Sequence, residues 1–440
     1  MANLKVDTSK KIKKMKPMHA VGQPPLGGRR NMIFGNFKYI SDIGAPYSRL
    51  HDVGGTYAAN RYVDIPNIFR DFNADENDPA SYDFTFTDAL ITALVNAGIE
   101  PYYRLGVTIE NQAAIKAYRV YPPADFAKWA RICEHIIAHY TEGWADGFNY
   151  NITYWEIWNE PDDGFRDTNP DGSPYVSQMW IGTKEQYYEL YDVTAKHLRA
   201  RFPNIKIGGY ASCGFNAIVV DEAELEEKPH YLYQLEFFHG FMKYVREHNS
   251  PIDFFSYHSY SKTNRIVKYD EWLHNTLVEY GYGHIETHLN EWNPVYKERG
   301  TAHHSAEVTA AMLAMQSGYT DMLMIYDARM QGSDYAALFD PYTHKPFHAY
   351  YALAAFNELY KLGDQVELVC DTDELYAVAA SNGEHHAILV SNITGDVQSL
   401  NIEGVDLSGA HWYLIDNTRL LSWSAPLNKI GNNEVVLIEL

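Results

Sequence analysis

Between Lys16 and Leu362, short apolar runs alternate with amphipathic helical patterns, and the number of runs constrains the fold more than any other feature. The runs are "KPMHAVG", "YSRLHD", "IEPYYRLG", "ITYWEIWNE", "IKIGGYA", "IDFFSYHSY", "IETHLNE" and "DMLMIYDA", eight in all. Alternation of this kind favours a parallel sheet with crossover helices. Eight strand–helix units in series are what a (β/α)8 barrel requires; it typically takes ~250 residues and accepts insertions in the loops after its strands. A doubly wound open sheet is the alternative, but no G-x-G-x-x-G follows the first run, so its commonest ligand lacks support.

Helix signals punctuate the series. In "DFTFTDALITALVNAG" Phe86, Leu90, Leu94 and Ala97 share a face and Gly98 ends the pattern. "PPADFAKWARICEHIIAHY" repeats it with Phe126, Trp129, Cys133, Ile136 and Tyr140. Thr183 and Gln186 have capping-box spacing at the head of "GTKEQYYELYDVTAKHL". "SAEVTAAMLAMQSG" has Ser305 in front and Gly318 behind.

After "HAYYALAAFNELYKLG" the texture changes to short alternating strands separated by turn residues such as Asn382-Gly383. This reads as a small all-β, sandwich-like domain. The expected organisation is a catalytic barrel over 16–362 and a β domain over 363–440, with residues 1–15 adding a strand through "NLKVD". A chain of 440 residues with 46% hydrophobic content can fill both cores.

The net charge of −21 argues against nucleic acid and anionic membranes as partners, because both demand a basic footprint. No apolar run reaches membrane-spanning length. Cys133, Cys213 and Cys370 are widely spaced and odd in number, which suits free thiols in a reducing compartment. "MANLKVDTSKKIKKMKP" has no apolar segment behind its basic residues, so the expected location is the cytoplasm, unless a signal has been removed. Oligomeric state is left open.

Barrel active sites lie at the C-terminal ends of the strands. The fourth run closes on Glu160, after Trp158 and Asn159 and before Pro161; the seventh closes on Glu291, before Trp292, Asn293 and Pro294. In a closed barrel these strands face each other across the mouth. Two carboxylates across one cleft are what glycoside hydrolysis needs, one protonated to assist the leaving oxygen and one ionised to attack or stabilise the anomeric carbon. Trp158 or Trp292 can stack on a pyranose face.

"WNEP" with a second strand-end glutamate resembles the clan A retaining glycoside hydrolases. The wider pattern is similar to glycoside hydrolase family 39, the family of β-xylosidases and α-L-iduronidases. "MHAVGQPP", "RLHDVGG", "YDFTFTDALITALVNAGIEPYYRLG", "YWEIWNEPD", "FFSYHSY", "HLNEWNP" and "LFDPYTHKPFHAYYALAAFNEL" carry the similarity through the whole barrel. The resemblance implies Glu160 as acid/base, Glu291 as nucleophile and Asn159 as the contact to the sugar 2-hydroxyl. It implies an exo-acting, β-xylosidase type of hydrolysis of an oligosaccharide or polysaccharide, with no cofactor. Another glycone (arabinoside, galactoside or uronide) or endo action is the alternative.

His51 in "RLHD" matches the family's second-strand histidine, and His258 and Tyr260 in "YHSY" are expected in the pocket. Trp292 is grouped with them; Tyr326 and Asp327 end the eighth run as floor or rim. Asp52 departs from the xylosidase pattern, which more often has Gly there. Glu156 lies four residues deeper than Glu160 and reads as structural, needing a cation such as Arg49 or Arg104. Glu286, at the start of its run, also reads as structural. Arg166 is the cation that would favour a uronide. The paired histidines of "AHHS", expected in a loop, and of "EHHA", in the β domain, show no H-x-H at a strand end, so no metal site is expected. A non-catalytic glycan-binding barrel would be expected to have lost one carboxylate, and both are present.

Overall fold

The computed structural model describes residues 2–24, 37–53, 62–109, 120–163, 176–330 and 335–440. After a long first strand, β1 (Ala2–Lys14), come the barrel strands β2 (Ala20–Val21), β3 (Tyr47–Leu50), β4 (Glu100–Leu105), β5 (Tyr154–Ile157), β6 (Lys206–Ser212), β7 (Phe254–Ser259), β8 (Glu286–Trp292) and β9 (Met322–Ile325). All pair in parallel and in chain order, and the barrel closes where Ala20 and Val21 of β2 meet Met324 and Ile325 of β9. Each of the eight runs read from the sequence coincides with one of these strands, β6 and β8 continuing one residue past theirs. The lower end of the barrel is filled by Ala20, Tyr102, Tyr154, Phe254, Met322 and Met324. Glu286 sits at that end, accepting from the Tyr154 hydroxyl at 3.0 Å and paired with Lys206.

The helices follow the apolar stripes with two adjustments. In Thr85–Asn96 the buried residues are Thr87, Leu90, Ile91 and Leu94, while Phe86 is 58% exposed. Phe86 lies in the first turn at the edge of the stripe, its ring centroid 5.9 Å from that of Tyr62. The helix Ala302–Ser317 starts earlier than Ser305 suggests: Thr301 is the N-cap, its hydroxyl accepting from the His304 amide at 3.2 Å. His303 and His304 therefore belong to the first helical turn and not to a loop. The Thr183–Gln186 capping box forms as read.

The rest of the chain adds β10 (Asp364–Cys370), β11 (Leu375–Ser381), β12 (His386–Asn392), β13 (Gln398–Glu403), β14 (His411–Ile415), β15 (Ser422–Ser424), β16 (Lys429–Ile430) and β17 (Val435–Glu439). With β1 they form one nine-stranded sheet, in the order β15-β14-β17-β12-β11-β10-β1-β13-β16. β1 runs antiparallel to β10 and parallel to β13, placing Leu4 between Cys370 and Ile402. Because side chains alternate along a strand, the sheet has two apolar faces. Val378, Leu389, Val435 and Leu437 join the barrel core, against the helices Ala302–Ser317 and His348–Leu362. Leu4, Ile388, Val390 and Ile438 face the other way. Trp412 and Ile430, from strands far apart in the order, meet in that second cluster, so the sheet curls over its own core in the manner of a sandwich. No helix among the described residues is long and apolar enough to cross a membrane.

Candidate active site

The polar residues at the barrel mouth are organised from below by Arg49 and Glu156, both fully buried. Arg49 projects from β3 and donates from Nε to Glu156 Oε2 at 2.7 Å. The other oxygen of Glu156 accepts from Ser256 Oγ at 2.6 Å and Asn290 Nδ2 at 2.5 Å. With these three hydrogen bonds satisfying both carboxylate oxygens, the ion pair meets the requirement for burying charge. Arg104 does not take part, since it pairs with Asp64 at 2.8 Å. Arg49 also reaches upward, to Asn159 Oδ1 at 2.5 Å and Glu291 Oε2 at 3.3 Å. One guanidinium thus links the floor to both strand ends, as a planar five-donor group can.

Glu160 is not the last strand residue. β5 stops at Ile157, and Trp158 and Glu160 then take left-handed conformations with φ of 71° and 45°. Such backbone costs a non-glycine residue about 1–3 kcal/mol and persists only when its surroundings hold it. Here the Trp158 indole donates to Met179 O at 2.9 Å and the Glu160 amide donates to Ala211 O at 3.1 Å. Gly106 makes room for the turn: a Cβ there would stand 3.1 Å from Trp158 Cα. Asp162 anchors the next step, accepting from Ser212 Oγ at 2.7 Å and the Cys213 amide at 3.1 Å.

Glu291 is the penultimate residue of β8, reached through an irregularity in the ladder. Tyr257 of β7 pairs with Leu289 but His258 pairs with Glu291, so Asn290 is the extra residue of a bulge. The bulge lets consecutive residues serve one site, Asn290 bonding Glu156 while Glu291 meets Arg49 and Tyr260.

Across the mouth, His258 Nδ1 lies 2.7 Å from Glu160 Oε1 and 3.7 Å from Glu291 Oε2. One oxygen from each glutamate and one His258 nitrogen all fall within 4.8 Å of one another. Tyr260 donates its hydroxyl to Glu291 Oε1 at 2.5 Å. Burial raises the Glu160 carboxyl to about 8, helped by Asp163 and opposed by Arg49. Burial also raises Glu291, to about 7, where His258, Arg49 and Tyr260 favour the ionised form and Glu160 opposes it. The one shared proton is therefore better held on Glu160. Burial lowers His258 to about 4, which leaves the imidazole neutral. It can accept from a protonated Glu160 or, in its other tautomer, donate to an ionised one. Among the described residues these three are the group whose donor atoms converge enough to hold a metal ion. The Arg49 cation 3.3 Å from Glu291 and the raised carboxyl pKa values both compete with a metal for them.

The other expected residues divide. Asn159 is in place, its Oδ1 taken by Arg49 and its buried Nδ2 without a partner. His51 is buried 3.2 Å from Asp52 Oδ1, with its pKa held well below the usual range by burial and by Arg49. Tyr326 donates to Asp52 Oδ2 at 2.9 Å and accepts from Gln23 Nε2 at 2.6 Å, while Asp327 is tied to Arg329. Trp292 corrects the expectation. It is fully buried, as Trp158 is nearly so, and neither offers a ring face for stacking. Both follow the strand into the packing between barrel and helices. A half-buried aromatic cluster lies elsewhere: Tyr335 stacks on Tyr296 and is tilted against Tyr260, with ring centroids 4.7 Å from each. The chain's 35 tyrosines suit a sugar-binding surface, but their number alone does not say which of them form one. Arg166 lies outside the described residues.

The family model of the glycosyl hydrolases family 39 matches residues 62–362, more than half of the chain. The chain belongs to glycosyl hydrolase family 39. Its family 39 sequence is 23% identical to a β-xylosidase of Geobacillus stearothermophilus over 278 residues, 57% of this chain and 48% of that one. A β-xylosidase of Caldicellulosiruptor saccharolyticus is 24% identical over 186 residues, 41% of this chain and 31% of that one. The family 39 chain thus spans half or less of the length of the curated relatives it matches. A solved structure of a glucosidase from Croceicoccus marinus shares its fold over 100% of this chain and 98% of that one, with a TM-score of 0.74 and 19% identity. A family 39 β-xylosidase from Caulobacter crescentus does so over 100% and 99%, with a TM-score of 0.67 and 18% identity.

Proposed function

We propose that this chain is a retaining glycoside hydrolase that removes a β-xylose-type unit from the end of an oligosaccharide. Glu291 attacks the anomeric carbon while Glu160 gives its proton to the leaving oxygen. Glu160 then takes a proton from water, which releases the sugar from Glu291 with net retention. The observation that carries this reading is the approach of one oxygen from each glutamate to within 4.8 Å. Inverting enzymes hold their carboxyl groups ~6.5–9.5 Å apart to admit a water, whereas retaining ones use ~5–5.5 Å. The β-xylosidase relatives support the glycone. Asp52, half-buried beside His51 and Tyr326, supports a second reading, a hexose-type glycone with a further hydroxyl to bind, in keeping with the fold shared with a glucosidase.

The test is release of nitrophenol from β-xyloside, both arabinosides, β-galactoside, β-glucoside and β-glucuronide. Wild type is compared with Glu160→Ala and Glu291→Ala. Turnover of the β-xyloside, lost in Glu291→Ala and restored there by azide as an inverted glycosyl azide, supports both mechanism and glycone. Turnover that survives removal of either glutamate refutes the assignment. Preference for the β-glucoside selects the second reading.

A further inference from the structure

Between the loops that follow β7 and β8, a cleft of about 560 Å³ opens beside Tyr260. This is within the size range of small-molecule sites. Tyr260 belongs to two places at once: its hydroxyl is bonded to Glu291, and its ring lines the cleft. A ligand in the cleft would therefore lie one side chain away from the proposed nucleophile. Tyr296 stands opposite, its ring centroid 5.8 Å from that of Tyr260, and both rings are partly exposed. Such ring faces pack against the C–H faces of sugars, as amphipathic aromatic groups do in wet sites.

The charge around this cleft runs against the charge of the chain. Lys262, Arg265 and Lys297 line it, all exposed, and among the described residues none has a carboxylate within 4 Å. Lys297 Nζ is 6.0 Å from the Tyr296 ring centroid. The acid in the lining, Glu298, is engaged by His303 Nδ1 at 2.6 Å. In a chain of net charge −21, three unpaired cations around one concave surface create a local positive potential that attracts an anion. The amide of Asn264 adds a neutral hydrogen-bonding group at the same wall.

We propose that this cleft is a subsite for an acidic sugar, taking the carboxylate of a uronic acid unit carried next to the bond that is cleaved. The inference rests on the glycosidase reading and deepens it. The cations select the carboxylate, and the two tyrosines take the ring.

Titration calorimetry on the full chain carrying Glu160→Gln, which cannot turn substrate over efficiently, compares xylotriose with the same trisaccharide bearing a glucuronic acid branch. The acidic ligand is expected to bind about tenfold more tightly, the effect of two or three partly exposed ion pairs acting together. Adding Arg265→Ala and Lys297→Ala should reduce that preference to within about twofold, and so should about 0.5 M salt, which screens exposed charges. If the double substitution lowers the melting temperature, Arg265→Gln with Lys297→Gln replaces it. Equal affinity for the two ligands, no binding of either, or a preference that survives both the substitutions and the salt overturns the proposal. Aryl-glycoside turnover by wild type reports the glycosidase reading separately. Turnover without an acid preference sinks only the subsite, and absence of turnover sinks the reading beneath it.

Discussion

The hydroxyl of Tyr260 donates to Glu291 Oε1 across 2.5 Å, a bond that favours the ionised carboxylate in a place where burial disfavours it. Tyr260→Phe keeps the ring but deletes the donor, so the Glu291 pKa should rise. The acid limb of the kcat/KM profile is then expected to move to higher pH, with a loss of about tenfold near neutrality, the worth of one hydrogen bond to a charged group. An unmoved acid limb would show that Tyr260 does not act through Glu291.

The two glutamates set the pH dependence. Glu291 must be ionised and Glu160 protonated, with their pKa values raised to about 7 and about 8. Activity should climb as pH rises through the lower value and fall as pH passes the higher one. The two limbs belong to the pair, because each carboxylate influences the other. Glu160→Ala, assayed on a nitrophenyl glycoside whose leaving group needs no proton, should keep the acid limb and lose the alkaline one. A retained alkaline limb would assign it to another group.

The same shift has a consequence for stability. Glu160 is raised in the folded chain above its ordinary value of 4.5, so the native state binds the proton more tightly than the unfolded state does. Between the two values, stability falls as pH rises, and the cost is complete above about 8. Glu160→Gln carries no such charge. It should melt a few degrees higher than wild type at pH ~9 and close to wild type at pH ~4, where the carboxyl is protonated in both states. Equal melting temperatures at high pH would mean that the carboxylate is well solvated there.

Removing Glu156 leaves the Arg49 guanidinium buried with its principal counter-charge gone. Glu156→Ala should destabilise the fold by about 3–5 kcal/mol in denaturant titration. It should also lower kcat, since Arg49 positions Asn159 and Glu291. A loss below ~1 kcal/mol would place the pair among weak surface interactions.

Much of this molecule is legible before folding. The alternation of apolar runs and helical stripes is a local signal, and each of the eight runs coincides with a barrel strand to within a residue or so at its C-terminal end. Local signals failed where neighbours intervened. Trp292 reads as a stacking platform from its place beside Glu291, but the backbone turns its ring into the core. Glu160 reads as a strand end, yet the backbone leaves the ladder three residues earlier, because Met179 and Ala211 hold a left-handed turn there. Register carries no sequence mark at Asn290, so the bulge that aims it at Glu156 was invisible.

By itself the sequence determined the number of βα units, the two glutamates near the ends of the fourth and seventh strands, and the separate β texture after Leu362. Those depend on residue type and spacing along the chain. Only the tertiary structure decided which groups are charged, buried or paired. Arg49 and Glu291 are 242 residues apart, and their 3.3 Å contact exists because the barrel closes. A carboxyl group's pKa is a property of what surrounds it, and for Glu160 and Glu291 those surroundings come from strands distributed around the whole barrel.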